Sequence, residues 1–307
     1  MLRTRPARWT WPRPWSPREA RAHSHADDVS KRACRATGRL CFSGGTGQVA
    51  NTAEVTREQL AGGIRAMGVR PGDLLLVHSS LSSFGRMAGG AEAAARALVD
   101  AVRPDGTAFV PVFYWGDEPF EPETTPSHVG AITEAFRKLP GARRSLCPSH
   151  SVCGIGPAAA EMFAGHDRAH PFGEGSPLWR LLERNCHVLL IGCDHRSSSM
   201  IHVAEEKEGV RYLDRQRTVL VRTEDGARQV TLRRPGCSRG FGAVDAPMRA
   251  AGMISESAVG PSRLLLMKAH DLVETARAIL KEDPAGLLCG LDDCEGCREA
   301  RRMIGEA

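Results

Sequence analysis

Residues 186–206 read CHVLLIGCDHRSSSMIHVAEE, and this stretch decides the fold class. Val188–Ile191 is an apolar run of strand length that ends at Gly192 in a polar loop, and a helix-forming segment follows. A strand apolar along its whole length belongs inside a sheet covered on both faces. Working outward, the same pattern recurs. DLLLVHSSLSSFG (73–85) follows the Pro71-Gly72-Asp73 turn, and TAFVPVFYW (107–115) follows Pro104-Asp105-Gly106. Between and around these runs lie segments with helical spacing: 51–69 with a cap at Thr52 or Thr56, GGAEAAARALVDAV (89–102), VGAITEAFRKLP (129–140) and LWRLLERN (178–185). Helices alternating with buried strands predict an α/β fold with a central, mostly parallel or mixed sheet flanked by helices. Ligands in such sheets gather where strands end. TVLVRTEDGARQVTLRR (218–234) alternates about Glu224-Asp225-Gly226, which predicts an antiparallel hairpin appended to the core. RLLLMKAHDLVETARAILKED (263–283) reads as one long amphipathic helix.

The chain has 307 residues and ten cysteines, and its formal charge is +5. Residues 1–50 carry +7, leaving the rest at −2, so no basic face for nucleic acid is expected. Those fifty residues mix Arg, Pro and Trp without periodicity and read as a disordered basic extension. Residues 51–307 read as one catalytic domain. No apolar run reaches the roughly 18–20 residues of a membrane span, which points to a soluble protein without a membrane partner. Free cysteines without a secretory leader suggest the cytoplasm.

Three polar clusters follow strands: His78-Ser79-Ser80, Arg144-Ser145 with Cys147 to Ser151, and His195 to Glu206. In the third, a helix beginning at SSSMIH places Ser199, His202 and Glu206 within three or four positions on one face. A carboxylate can orient an imidazole there, and the imidazole can take a proton near neutral pH. The bland alternative is a surface histidine in a first helical turn. Two further chemistries are open: Cys147 as a nucleophile activated by His150, and a catalytic metal on Asp194, His195 and His202. In the tail, Cys289, Cys294 and Cys297 form C-x4-C-x2-C, and Cys237 in RPGCSRGF could supply a fourth thiolate for structural zinc. Unliganded cysteines packing the C-terminal segment (262–307), or a redox-sensitive cluster, fit the same spacing.

HSSLSSFG, GTAFVPVFY, VGAITEAFRKLPGARRSLCPSHSVCGIGP, FGEGSPLWRLLE and LLIGCDHRSSSMIHVAEE occur in this order across about residues 55–245. The series resembles the aminoglycoside 3-N-acetyltransferase family, whose fold is not that of the GNAT acetyltransferases. The resemblance implies acetyl transfer from acetyl-CoA to an amine, most directly the 3-amino group of an aminoglycoside, conferring antibiotic resistance. The family motif N-T-x-x-H-x-x-E falls on Ser198, Ser199, His202 and Glu205, which implies His202 as base, Glu205 as its acidic neighbour and Ser199 as the hydroxyl. His78, Ser79, Ser80, Arg144, Ser145, Gly175 and Ser176 resemble the parts that hold acetyl-CoA. Where the family has R-S-x-H-P this chain has Cys147, Ser198 replaces an Asn, and Arg196 stands where an acid is frequent. An added cation there is expected to repel a polycationic acceptor. Other readings are an acyltransferase for a different primary amine or small metabolite, and a zinc-stabilised CoA-binding protein without catalysis. A homodimer is compatible with either.

Overall fold

The computed structural model describes residues 54–116, 118–166 and 170–305. The expected extension at 1–50 lies outside the described residues. Helix α1 (Arg57–Ala66) opens on the capping box of Thr56 and Gln59, each side chain bonded to the other's backbone N–H. Strand β1 (Leu74–Ser79), α2 (Gly90–Val102) and β2 (Thr107–Pro111) follow, then α3 (Ala131–Phe136), β3 (Arg143–Arg144) and β4 (Val152–Ile155). Two short helices, α4 (Ala159–Phe163) and α5 (Pro177–Glu183), precede β5 (His187–Ile191) and α6 (Ile201–Glu208). The hairpin is β6 (Gln216–Thr223) and β7 (Gly226–Arg233). The chain then runs through α7 (Asp245–Ala250), β8 (Ser255–Val259), β9 (Ser262–Lys268), α8 (Ala269–Glu282) and α9 (Glu295–Gly305).

The main sheet has the order β3-β4-β2-β1-β5-β9-β8. Its centre is parallel, β1 pairing with both β2 and β5, and its flanks are antiparallel, so the sheet is mixed. Alternation along each buried strand assigns side chains to two cores. Leu76, Val188, Leu190, Leu265 and Met267 face the layer of α5, α6 and α8. Leu75, Val77, Leu189, Ile191, Leu264 and Leu266 face α1, α2 and α3. At the end of β1 this alternation sends His78 to the α6 side and Ser79 to the α2–α3 side. The register His78↔Leu190 and Ser79↔Ile191 brings both to the carboxyl edge shared with β5.

Two expectations need correction. The segment 263–283 is not one helix: Ser262–Lys268 is β9, paired with β5 on one side and β8 on the other, and only Ala269–Glu282 is helical. Four consecutive apolar residues, Leu264–Met267, serve a strand buried on both faces, whereas a helix would turn one of them to solvent. The helix expected to begin at SSSMIH begins instead at Ile201. Met200 stands at the N-cap without a side-chain bond, and His195–Ser197 forms its own turn capped by Asp194, whose carboxylate accepts from Arg196 N. The hairpin turns at Glu224-Asp225, with Gly226 at a φ of +115° that a side chain would rarely adopt. It packs Val219, Val221, Val230 and Leu232 with Tyr114, Phe120 and Cys147 in a third, smaller core.

Candidate active site

His202 lies in the first turn of α6 and is not a surface residue; only 7% of it is exposed. Its Nδ1–H donates to Glu205 Oε2 at 2.6 Å, an (i, i+3) pair within one helical turn. Glu205 is wholly buried, and its other oxygen accepts from Tyr212 O–H at 2.7 Å. Burial, and the neighbouring carboxylate with it, raise the Tyr212 pKa, so that its hydroxyl stays protonated. The carboxylate therefore faces two donors at once and fixes the Nδ1–H tautomer, leaving Nε2 as the ring's acceptor. Glu206, the partner that spacing alone suggested, points elsewhere, to Arg233 at 3.3 Å and His170 at 3.7 Å. The imidazole ring stacks on Phe172 (centroids 4.7 Å, 22°) and meets Phe241 edge-on at 4.8 Å. Buried His150 contacts Phe172 and Phe113, completing an aromatic wall.

Behind α6, Ser199 Oγ lies 3.5 Å from His78 Nε2. Burial pushes the His78 pKa down to about 3, so this ring is neutral in the folded protein. One residue further, Ser79 and Ser80 line a groove of about 580 Å³ with Leu81, Ser82 and Gly130. The hydroxyls of Ser79 and Ser198 are buried and have no protein hydrogen-bond partner among the described residues. Such donors are rarely left unmet unless something else occupies them.

The other expected cofactor residues are largely tied into the scaffold. Arg144 donates to Ser151 Oγ (2.8 Å) and to the carbonyls of Val112 (2.7 Å), Pro122 (3.2 Å) and Thr125, and its guanidinium lies over Phe120. Ser145 Oγ accepts from Val152 N and bonds His166 Nδ1 at 2.7 Å. Gly175 takes a φ of +82°, and Ser176 Oγ caps α5 by accepting from Trp179 N, with Pro177 at the first helical position. These contacts hold the local scaffold.

Three alternatives lose their geometry. The Cys147 thiol is buried and raised in pKa by that burial, and His150 Nδ1 bonds Ser149 Oγ. Asp194, His195 and His202 do not converge: Asp194 pairs with Arg196, His195 Nε2 lies 3.1 Å from Asp245, and His202 turns to Glu205. Arg196, expected as a repelling cation, is held by Asp194 through contacts of 2.6 to 3.0 Å, which largely cancels its charge.

The tail cysteines converge instead. Sγ atoms of Cys237, Cys289, Cys294 and Cys297 all lie within 4.8 Å of one another, with Cys237–Cys289 at 3.9 Å and Cys289–Cys297 at 3.5 Å. Four sulfurs around a tetrahedral zinc stand roughly 3.8 Å apart, as Zn–S bonds of about 2.3 Å require. All four are free thiols. Hydrogen bonding from Cys297 lowers the Cys237 pKa.

Tyr212, Phe172 and Phe241 are the site residues that sequence reasoning missed. Tyr212 had one available signal, since the chain has only two tyrosines and this one follows the histidine helix directly.

A buried imidazole backed by a buried carboxylate, near the carboxyl edge of the parallel strands of a mixed sheet, is the arrangement of an acyltransferase. The chain belongs to the aminoglycoside 3-N-acetyltransferase family, whose pattern matches residues 76–281. It is 30% identical over 266 residues to aminoglycoside N(3)-acetyltransferase VII of Streptomyces paromomycinus, covering 74% of this chain and 92% of the relative. The structure of apo aminoglycoside acetyltransferase AAC(3)-IVa superposes with a TM-score of 0.76 at 29% identity, covering 83% of this chain and all of the other. A histidine-to-alanine variant of that enzyme, in complex with a gentamicin, gives a TM-score of 0.74 at 29% identity, covering 82% of this chain and 98% of the other.

Proposed function

We propose that this protein acetylates the 3-amino group of an aminoglycoside with acetyl-CoA and so confers resistance inside the cytoplasm. The observation that carries this reading is the buried Glu205–His202 pair, held at 2.6 Å near the carboxyl edge of β1, where Ser199 lies 3.5 Å from His78. In the reaction the acceptor nitrogen attacks the thioester carbonyl as His202 Nε2 takes its proton. Glu205 balances the charge that appears on the imidazolium. The C–N bond forms, the C–S bond breaks, and the imidazolium returns its proton to the departing CoA sulfur. Ser199, or a nearby backbone N–H, stabilises the oxyanion. Ser79 and Ser198 supply unmet hydroxyls for the co-substrate, while His78, Ser80, Arg144, Ser145, Gly175 and Ser176 hold or shape its groove. Cancellation of Arg196 by Asp194 removes the electrostatic objection to a polycationic acceptor. Cys237, Cys289, Cys294 and Cys297 bind one structural zinc, as their near-tetrahedral spacing supports.

The test is release of free CoA, followed with a thiol-reactive dye, from acetyl-CoA and gentamicin-, kanamycin- and neomycin-type compounds. Release is expected with at least one of them and is expected to vanish in His202→Ala. Undiminished activity in that variant removes the assigned base. Turnover only with other primary amines removes the antibiotic.

A further inference from the structure

Between β7 and α7 the chain runs through Pro235, Gly236, Cys237, Ser238, Arg239, Gly240 and Phe241, and each end of this strap touches the catalytic pair. A Cβ placed on Gly236 would sit 3.0 Å from Tyr212 Cε2 and 3.5 Å from Glu205 Oε1, so the backbone there packs directly on the carboxylate and its tyrosine. Five residues later, Phe241 meets the His202 ring at 4.8 Å. Between these contacts Cys237 enters the thiol cluster, 3.9 Å from Cys289 Sγ, and its sulfur accepts from Arg239 N at 3.4 Å. Gly240 presses on the same loop from the other side, since a Cβ there would lie 2.4 Å from Leu287 O and 2.8 Å from Cys289 N. The opposite wall of the cluster is anchored too. Arg301 donates to Cys289 O at 3.0 Å, and Arg215, three residues past Tyr212, pairs with Glu299 of α9 at 2.7 Å.

We infer that metal occupancy of the Cys237–Cys289–Cys294–Cys297 cluster sets the position of the His202–Glu205 pair, by fixing the strap 236–241 whose two ends form the wall behind it. This rests on the zinc reading above and adds a function to it, because a purely structural site elsewhere in the fold would stabilise the chain without touching the base. Four sulfurs from three separate segments lie within 4.8 Å of one another, and a divalent cation held by all four ties those segments, the strap among them, into one unit. With the strap loosened, both faces of the pair lose their backing at once. Cys237, Gly236 and Phe241 are then positioning residues, acting on substrate only through His202 and Glu205.

The test uses the full chain and the low-field proton resonance of the His202–Glu205 hydrogen bond, identified by its loss in His202→Gln. Zinc content is measured by mass spectrometry on loaded, chelator-stripped and reloaded protein, with circular dichroism to confirm folding. One zinc per chain is expected. Stripping is expected to move or broaden the resonance and to lower kcat by about tenfold or more, as small displacements of catalytic groups do, with KM for acetyl-CoA unchanged. Reloading is expected to restore both. Folded, stripped protein that keeps its resonance and its kcat overturns the coupling while leaving zinc binding intact. Should stripping unfold the chain, Cys294→Ser decides, since it weakens the metal site from α9's end without touching the strap: folded protein of lowered zinc content with a moved resonance supports the coupling, and with an unmoved one overturns it. Failure to take up zinc overturns the site and the coupling together, whatever the acetylation assay gives. A resonance that follows zinc in a protein that acetylates no amine upholds the coupling and sinks the acetylation reading.

Discussion

Replacing Glu205 with glutamine changes almost nothing in volume and removes one charge at the centre of the site. In the parent protein the carboxylate accepts at 2.6 Å from His202 and at 2.7 Å from Tyr212. An amide has only one oxygen to offer. Its NH2 must face one of two donors, so either the imidazole loses its orienting bond or the tyrosine is stranded. The decisive loss falls in the transition state, when His202 carries a proton and no buried anion balances it. A hydrogen bond to a charged group contributes about 1.5–3 kcal/mol, which becomes roughly a 10- to 150-fold fall in kcat. Tyr212→Phe keeps the carboxylate and removes one donor, and is expected to cost about tenfold or less. The double variant is expected to fall short of the summed effects, since both act on one oxygen pair. Dye-detected CoA release at saturating acetyl-CoA reads kcat, and thermal unfolding checks that each variant is folded. Folded Glu205→Gln protein with the parent kcat would refute the role given to this carboxylate.

Stability should also depend on acidity through His78. Its folded pKa of about 3 lies below the value near 6.5 of an exposed histidine, so under pH 6.5 the unfolded chain takes up a proton that the folded one refuses. Stability therefore falls as pH drops through this window, by ~2 kcal/mol at pH 5 from this residue alone. Urea midpoints at pH 7 and pH 5 are expected to differ less in His78→Gln than in the parent; equal differences would contradict the reading. For Arg144, the lysine variant keeps the charge but cannot reach Ser151 and three carbonyls together, and a loss of ~2–4 kcal/mol is expected in chemical denaturation. A change within experimental error would show that the guanidinium is not holding the 112–125 loop.

The three central strands were legible because Leu74–Val77, Ala108–Val110 and Val188–Ile191 are apolar on both faces, which only a covered sheet explains. The hairpin was legible from Glu224-Asp225-Gly226. What escaped was a matter of partners at long range. Leu264–Met267 suits a strand or a helix until β5 and β8 are seen on either side. Spacing pointed to Glu206 and the family resemblance to Glu205, because three and four residues both fall on the facing side of a helix, and Tyr212 behind Glu205 fixes the pair. Cys237 could be grouped with Cys289 only as a guess across 52 positions. Arg196 read as a loose cation because the side-chain fold of Asp194, two residues earlier, leaves no trace in composition.

His202, the proposed base, and Glu205 sit three residues apart on the same helical turn, so they are carried as one piece. The aromatic wall beside them comes from other segments, the loops of Phe113, His150 and Phe172. Insertions, deletions or exchanges in those loops can redraw which amine fits without disturbing the relation between imidazole and carboxylate. A scaffold arranged in this way can change its clientele by editing its borders, and the chemistry travels intact.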